Sequence, residues 1–561
     1  MVLALVLTIL LPGISLASVA EASSQINGTQ SIQQLFEEKR WEQVVEEARK
    51  ITAPAAEIRY CYGVALAQLG RWDEARTVFL AGQRLHPEDA RFPVELGGVA
   101  FKQKRFAESA KWLRRGMRLN PADSYTADFL GSIYFLQGNI EAALEYWNRI
   151  AKPHIENTRM EPGLRVDPVL LDRAFTFAPG GALLLSDLLT TRARVRGLGI
   201  FSAPNIRLDA QADGTFHTTF TAMERNGFGG SKLQALVSTF RGLSYQTVFP
   251  GYFNLARSAI NIDSLVRWDA QKRRLAAAAS GPLRRDPRRR YRAGLDLRDE
   301  NWDLRRSSQE PALRIGAFKL LRNAVSADVS FFRSGGWSGS AGGELSHRDY
   351  RNVSAGPQLP RDALLAGYQL KQAARLDREL WRVPERRFES SASISSEAAT
   401  IWASPRRSYE RLQISLAARW FPKMAGDDYA IQQQIRAGRV FGKVPFDELF
   451  MLGLERDNDL WMRAHLGARD GLKGSAPLGR RYYLSNWEID KNIYSAGFLS
   501  VKLSPFLDVG WMDSSLGLGT RKWCWDTGVQ AKIRVLGVGL ALIYGKDLRT
   551  GRSSFYVADL R

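Results

Sequence analysis

The groups with which this chain of 561 residues could do chemistry are five histidines, two cysteines and an excess of basic over acidic side chains, 79 against 58. His86, His154, His217, His347 and His465 are scattered. No His-Glu-x-x-His sets two imidazoles on one helical face for zinc, and no Gly-x-Ser-x-Gly turn presents a nucleophile. Cys61 and Cys524 lie 463 positions apart, which argues against a disulfide framework and against a structural zinc site. The expectation is a protein without metal or cofactor that is not an enzyme. Arginine stands out instead. The run Pro282 to Arg292 gathers Arg284, Arg285, Arg288, Arg289 and Arg290 beside an alternating segment. Such a cluster attracts phosphate-bearing anionic surfaces, or is simply a solvated turn.

The elements that must hold these groups begin with an export signal. Val2 to Leu11 is almost wholly apolar, Pro12-Gly13 breaks it, and small residues follow to Ala20-Glu21-Ala22. This reads as a signal peptide over 1–22, with a buried N-terminal helix as the alternative. No Lys or Arg precedes the run, so a start upstream of Met1 is expected, and no cysteine at the cut calls for a lipid anchor. No later stretch reaches about eighteen consecutive apolar residues. With 45% apolar and 24% charged residues the chain is not disordered, and 48 Gly, 27 Phe, 17 Tyr and 15 Trp point to turn-rich β structure. An exported chain without a spanning helix is either a soluble secreted protein or an outer-membrane β-barrel. The net charge of +21 would suit nucleic acid, but export and the lack of a recognition fold argue against that partner.

Residues 30–154 read as helical with a period of 34. Gly63, Gly97 and Gly131 repeat at that spacing, as do Pro87 and Pro121, the small residues Ala75, Ser109 and Ala143, and the large Phe79, Leu113 and Trp147. This is the tetratricopeptide length. The small residue lets two helices approach, the large one fills the groove to the neighbour, and proline ends the second helix. Arg40-Trp41-Glu42 marks a degenerate unit ahead of Arg71-Trp72-Asp73. The repeats would offer a concave surface to a protein partner, or act as a rigid spacer.

A Pro/Glu-rich link, Lys152 to Gly163, leads to residues 164–228, where a βααββ order is expected. A strand is predicted over Val166 to Phe177, a helix around Leu185, Leu188 and Leu189, a second with Val195 and Leu198 ending at Gly199, and a hairpin around Ala212-Asp213-Gly214. From 229 to 561 polarity alternates. Leu499, Val501, Leu503, Leu507, Val509 and Trp511 share one parity, and Ser500, Lys502, Ser504 and Asp508 the other. Tyr483, Trp487 and Ile489 alternate with Asn486, Glu488 and Asp490 in the same way, Leu295 and Leu297 with Asp296 and Arg298, and Ile533 with Lys532 and Arg534. A soluble sandwich alternates too. The number decides: at roughly twenty residues per strand and connection this region makes about sixteen strands, rich in girdle-forming Trp and Tyr, as a transmembrane antiparallel β-barrel would be.

The βααββ order with "RVRGLGIFSAPNIRLDAQADGTFHTTFTAMER" resembles a POTRA domain. The segment "PFDELFMLGLERDNDLWMRAHLGARDGLKGSAPLGRRYYLSNWEID", then "FLDVGW" and "GLALIYGKDLRTGRSSFYVADL", resembles the carboxy-terminal half of the BamA/TamA surface-antigen barrel. The resemblance implies that Arg463 is carried on a loop folded into the lumen and meets Glu488 and Asp508 on the wall. Ala464 and His465 stand where the family has glycine and an aromatic residue. An ordinary lumen arginine is the alternative for Arg463. The family implies an outer-membrane protein that assists insertion or translocation, with its N-terminal domains in the periplasm. The POTRA would capture an unfolded client by strand addition, the repeats would bind a periplasmic protein, and the arginine run would contact lipid or lipopolysaccharide. A passive conduit of the polysaccharide-export kind and a surface receptor are the alternatives.

Overall fold

The computed structural model describes residues 31–306, 314–355, 359, 364–423, 426–497, 499–514, 517–520, 522–535 and 538–560. The expected signal peptide over 1–22 lies outside them. The chain divides into two compact units, residues 1–138 and 139–561.

The described part of the first unit is helical. A helix over 31–37 is followed by Trp41–Arg49, Ala56–Gln68, Trp72–Leu85, Arg91–Lys102, Phe106–Leu119 and Ser124–Leu136. The turns inside successive helix pairs repeat as well: Gly70, Lys104 and Gly138 all take positive φ, at 75°, 59° and 75°. The period-34 glycines sit where helices touch. A Cβ on Gly97 would stand 2.5 Å from Leu113 Cγ, and one on Gly63 would run into the Phe79 ring. Ser109 Oγ donates to Gly97 O across the same contact at 2.7 Å. Gly131 is buried in its helix, and Pro87 and Pro121 stand just beyond the ends of Trp72–Leu85 and Phe106–Leu119. Gly97→Val should therefore overpack this contact, lowering the stability of the helical unit by about 1–3 kcal/mol. An earlier loss of the helical circular-dichroism signal on heating would show it; an unchanged melt would mean that the helices part without cost.

Glu95 gives this unit a pH dependence. Burial lifts its carboxyl above the ordinary range, although the Tyr60 hydroxyl donates to it at 3.2 Å. A carboxyl whose pKa is higher folded than unfolded stabilises the fold fully below its unfolded pKa, and that contribution is lost as pH rises through the folded value. Glu95→Gln should flatten the dependence of the helical melting temperature on pH across the acidic range and raise it near neutrality. Identical profiles for the two proteins would exclude this source.

The second unit opens with the helix Ile140–Trp147 and a three-stranded sheet. Phe216–Glu224 is the central strand, parallel to Ile155–Glu161 on one side and antiparallel to Phe201–Ala210 on the other. The hairpin turns at Gly214, φ 84°, as its Asp-Gly signal predicts. Two expectations are corrected. Val166 to Phe177 is not a strand: Asp167 caps a helix over Pro168–Ala174 by accepting from Val169 N at 3.0 Å, and proline at the first helical position favours that start. The first strand lies upstream, in what reads as linker, because an edge strand with exposed faces keeps the polar composition of Ile155–Glu161. A boundary at 164 is thus too late. Leu185 to Leu198 is also one helix, not two.

From Ile260 to Leu560 one antiparallel ladder runs through Ile260–Trp268, Lys272–Leu283, Asp286–Arg305, Arg314–Ser334, Trp337–Ala355, Gly367–Val383, Phe388–Trp402, Arg407–Trp420 and Tyr429–Gly442. It continues through Arg481–Ala496, Leu499–Met512, Cys524–Val535, Val538–Asp547 and Ser553–Leu560, and the sheet curls into a barrel. Thr247–Val248 and Gly251–Leu255 pair with the strand Ile260–Trp268 as one interrupted strand. Counting that as one, the ladder holds fifteen strands among the described residues, against an expected number of about sixteen. The alternation follows the expected parity. Leu295, Leu297, Trp487, Ile489 and Leu503 are exposed on the outer surface, whereas Ser504, Asp508, Asp526 and Gln530 are buried inside.

One end of the barrel carries the βααββ domain. Gly335 N donates to Thr190 Oγ1 at 2.9 Å, Asp167 N to Arg257 O at 2.8 Å, and Asn261 Nδ2 to Leu198 O at 2.9 Å. Helix Ile140–Trp147 meets the same end, Tyr146 OH donating to Glu385 Oε1 at 2.8 Å.

Candidate functional site

The connection between the strands Tyr429–Gly442 and Arg481–Ala496 does not stay outside. It folds into the lumen as a small plug with its own two-stranded sheet, Phe450–Met451 with Leu478–Gly479. Its apolar residues explain why. Phe446, Phe450, Leu452, Leu460 and Met462 are buried with wall residues Trp302, Phe318, Tyr482 and Met512 in one core. Phe446 lies edge-on to Trp302 and Phe318, ring centroids 6.0 and 5.5 Å away. Asn458 ties the reversal, donating to Met451 O at 2.9 Å and to Gly453 O at 2.7 Å.

At the tip of this plug Arg463 meets both carboxylates that the resemblance implies. Its Nη2 and Nε donate to Asp508 at 2.6 and 2.9 Å, its Nη1 donates to Glu488 Oε2 at 2.7 Å, and its backbone N donates to Asp508 Oδ2 at 3.0 Å. Phe506 lies flat beneath the guanidinium, 3.8 Å from ring centroid to Cζ. Asn486 Nδ2 donates to Asp508 Oδ1 at 2.7 Å, and Lys532 and Gln530 hold Glu488. Arg463 and Asp508 are buried, at 4% and 0% exposure. A bidentate pair of this kind fixes orientation as well as position. Ala464 and His465, the departures from the family pattern, have a wall partner of their own: Asp526 Oδ2 accepts from Ala464 N at 2.7 Å and lies 3.0 Å from His465 Nδ1. The tip can approach the wall because Gly545 has no side chain; a Cβ there would run into the Arg463 carbonyl. Ser554 Oγ donates to that carbonyl at 2.9 Å.

Sequence reasoning missed two further attachments. Asp457 accepts from Arg267 Nη1 at 2.9 Å, Arg274 Nη1 at 2.6 Å and Lys473 Nζ at 3.3 Å, and Lys473 also donates to Glu300 at 2.7 Å. Glu455 accepts from Lys272 at 3.2 Å. Lys473 belongs to the plug itself, but Arg267, Lys272, Arg274 and Glu300 belong to the first strands of the barrel, opposite in sequence to the wall that holds Arg463. Near the base of the plug Glu448 accepts from the fully buried Arg348 at 3.2 Å, and Asp447 from Tyr350 OH at 2.8 Å. The available signal was the acidic content of "ERDND" set against lumen-parity Arg and Lys on the early strands. Toward the βααββ end, Arg463, Arg436, Gln434, Ser390 and Arg382 help to line a cavity of about 620 Å³.

The arginine run is not part of this site. Arg284 and Arg285 form a turn at the βααββ end of the barrel, both with positive φ. Arg285 pairs with Asp167 at 3.3 Å, Arg288 with Asp286 at 3.0 Å, and Arg290 Nη2 donates to Ser280 Oγ at 3.4 Å. Cys61 and Cys524 are both free thiols, and burial raises Cys61 to about 11.

The fold and site together describe helical repeats followed by a β-barrel whose lumen holds a pinned loop. The tetratricopeptide repeat model matches residues 38–90 and 63–124, so the chain carries such repeats. No curated protein matches the chain. Its structural neighbours include BamA from Haemophilus ducreyi lacking POTRA domains 1–3, at 13% identity over 72% of this chain and 83% of that one, with a TM-score of 0.42. CdiB from Escherichia coli is similar at 14% identity over 73% of this chain and 75% of that one, TM-score 0.46. CdiB from Acinetobacter baumannii is similar at 10% over 72% and 73%, TM-score 0.42.

Proposed function

We propose that this chain is an outer-membrane β-barrel protein of the BamA/TamA type that assists the insertion or translocation of proteins, with its N-terminal domains in the periplasm. The observation that carries this reading is the seating of Arg463 between Asp508 and Glu488 by a loop folded inside the barrel. The outward rows of Leu295, Ile394, Ile414 and Leu503 support a membrane setting, since such a belt would be a liability in water. The βααββ domain is read as a POTRA. Phe201–Ala210 is an edge strand of the three-stranded sheet, and so is Ile155–Glu161 beyond Ile155, which already exchanges backbone bonds with Gly180 and Gly181; to such an edge an extended client can add. The repeats would recruit a periplasmic protein. The arginine turn, at the POTRA end, is suited to phospholipid head groups of the inner leaflet; lipopolysaccharide belongs to the opposite surface. No enzymatic step and no cofactor is invoked: client folding and strand pairing would drive the work.

The passive-conduit reading would gain if residues 164–228 were further helical repeats. That stretch carries strands and two helices instead, and a folded plug occupies the lumen. Depleting the protein and quantifying the outer-membrane proteome tests the choice. Selective loss of other barrel proteins is expected; loss of surface polysaccharide alone would favour the conduit and end the assembly reading.

A further inference from the structure

Residues 226–246 lie beside the seam of the barrel, their helix touching the strand Val538–Asp547 on one side and Thr247–Val248 on the other. The interrupted strand Thr247–Leu255 ends at Arg257, which contacts the βααββ domain, so that strand runs toward the domain end. The chain must therefore first travel from Glu224 to the far end. Over that path it forms no ladder among the described residues; it makes the helix Lys232–Phe240 and a short 3₁₀ turn, Leu243–Tyr245. The last strand, Ser553–Leu560, adjoins the first at the two-residue segment Thr247–Val248, a short closure for so long a sheet. Side chains reinforce this closure, Tyr245 OH donating to Asp559 Oδ2 at 2.6 Å under the guanidinium of Arg456, 3.5 Å from the Tyr245 ring centroid.

The helix is two-faced. Gln234, Ser238 and Arg241, at i, i+4 and i+7, line a cavity of about 570 Å³ together with lumenal Arg267 and Asp457 and with Gly539 and Asp559 of the last strands. Leu233, Leu236, Phe240 and Leu243, at i, i+3, i+7 and i+10, are 49–60% exposed on the other side. That face continues into the outward apolar residues of the adjoining strands, Tyr252, Leu255, Ile262 and Val266 on one flank and Leu542 and Tyr544 on the other. A helix satisfies its own backbone groups, so it can stand beside lipid where an unpaired strand could not. We propose that Lys232–Phe240 is a membrane-embedded element of the seam, whose leucine and phenylalanine face packs against phospholipid acyl chains while its polar face closes the wet lumen. The proposal rests on the outer-membrane reading above and adds a lipid-contact site that the strand pattern does not contain.

The test uses the full chain in phosphatidylcholine vesicles, with Cys61→Ala and Cys524→Ala and a single bimane-labelled cysteine at Leu236→Cys, Leu243→Cys, Ser238→Cys or Ile414→Cys. The label at 236 should lose fluorescence with acyl-chain doxyl lipid to the same extent as the outward strand position 414. The label at 238 should instead respond to aqueous iodide. Leu243→Cys, on the same exposed face, repeats the measurement should the first variant assemble poorly. Lipid quenching at 414 with iodide quenching at 236 and 243 would overturn the helix proposal while leaving the barrel in the membrane. Absence of lipid quenching at 414 as well would overturn both.

Discussion

Arg463→Ala should unseat the tip of the plug and destabilise the barrel by about 3 kcal/mol, the lower end of what removing one partner of a buried ion pair costs. The lower end applies because neither carboxylate is stranded completely: Asn486 still donates to Asp508, and Lys532 still holds Glu488. Asp508→Ala should do the same from the other side, leaving a buried guanidinium with Glu488 alone. Since the two groups act as one unit, Arg463→Ala with Asp508→Ala should be little worse than either change by itself. Urea midpoints of the assembled protein and the level of other barrels in the outer membrane are the two readouts. Fully additive losses would mean that Arg463 and Asp508 work independently and that the plug tip is not what they jointly hold.

A second large effect is expected from Asp457→Asn. The carboxylate neutralises a crowd of cations: Arg267, Arg274 and Lys473 all donate to it, and Arg267 and Lys473 are each only 4% exposed. The amide keeps the shape but takes from the buried Arg267 its carboxylate, while Arg274 keeps Asp296 and Lys473 keeps Glu300, a destabilisation of about 3 kcal/mol, the lower end for a broken buried pair. Whereas Arg463 anchors the plug to the late strands, Asp457 anchors it to the early ones, so the plug bridges the two ends of the sheet. Losing this anchor should let the plug shift and open the lumen. Planar-bilayer recordings should show a larger ion conductance for Asp457→Asn than for the unmodified protein. High salt should not mimic the substitution, because buried pairs are screened little. Equal conductances would show that the plug keeps its place without this contact.

Both predictions concern groups that were unequally legible. Period and parity are local properties, so the chain alone specified the helical repeats through Gly63, Gly97 and Pro87, and the inward or outward side of each strand residue through alternation. Glu488 and Asp508 fell on the inner parity for that reason, and the likeness of the Arg463 segment to a known family supplied their partner. Local signals misled where composition reported exposure rather than conformation: Ile155–Glu161 is polar because it is an edge strand, and Val166 onward is apolar because a capped helix packs there.

What only the tertiary structure decided is which charges meet. Asp457 and Arg267 are 190 positions apart, and His465 and Asp526 are 61 apart. No spacing rule joins them, because their encounter depends on the curl of the sheet and on a loop turning inward. The helix Lys232–Phe240 beside the seam is likewise a decision of the whole barrel. Its leucine spacing suits a helix, but that it stands at the seam follows from the geometry of the two strand edges. The chain's local chemistry chose its elements; closure of a long sheet around a folded plug chose their partners.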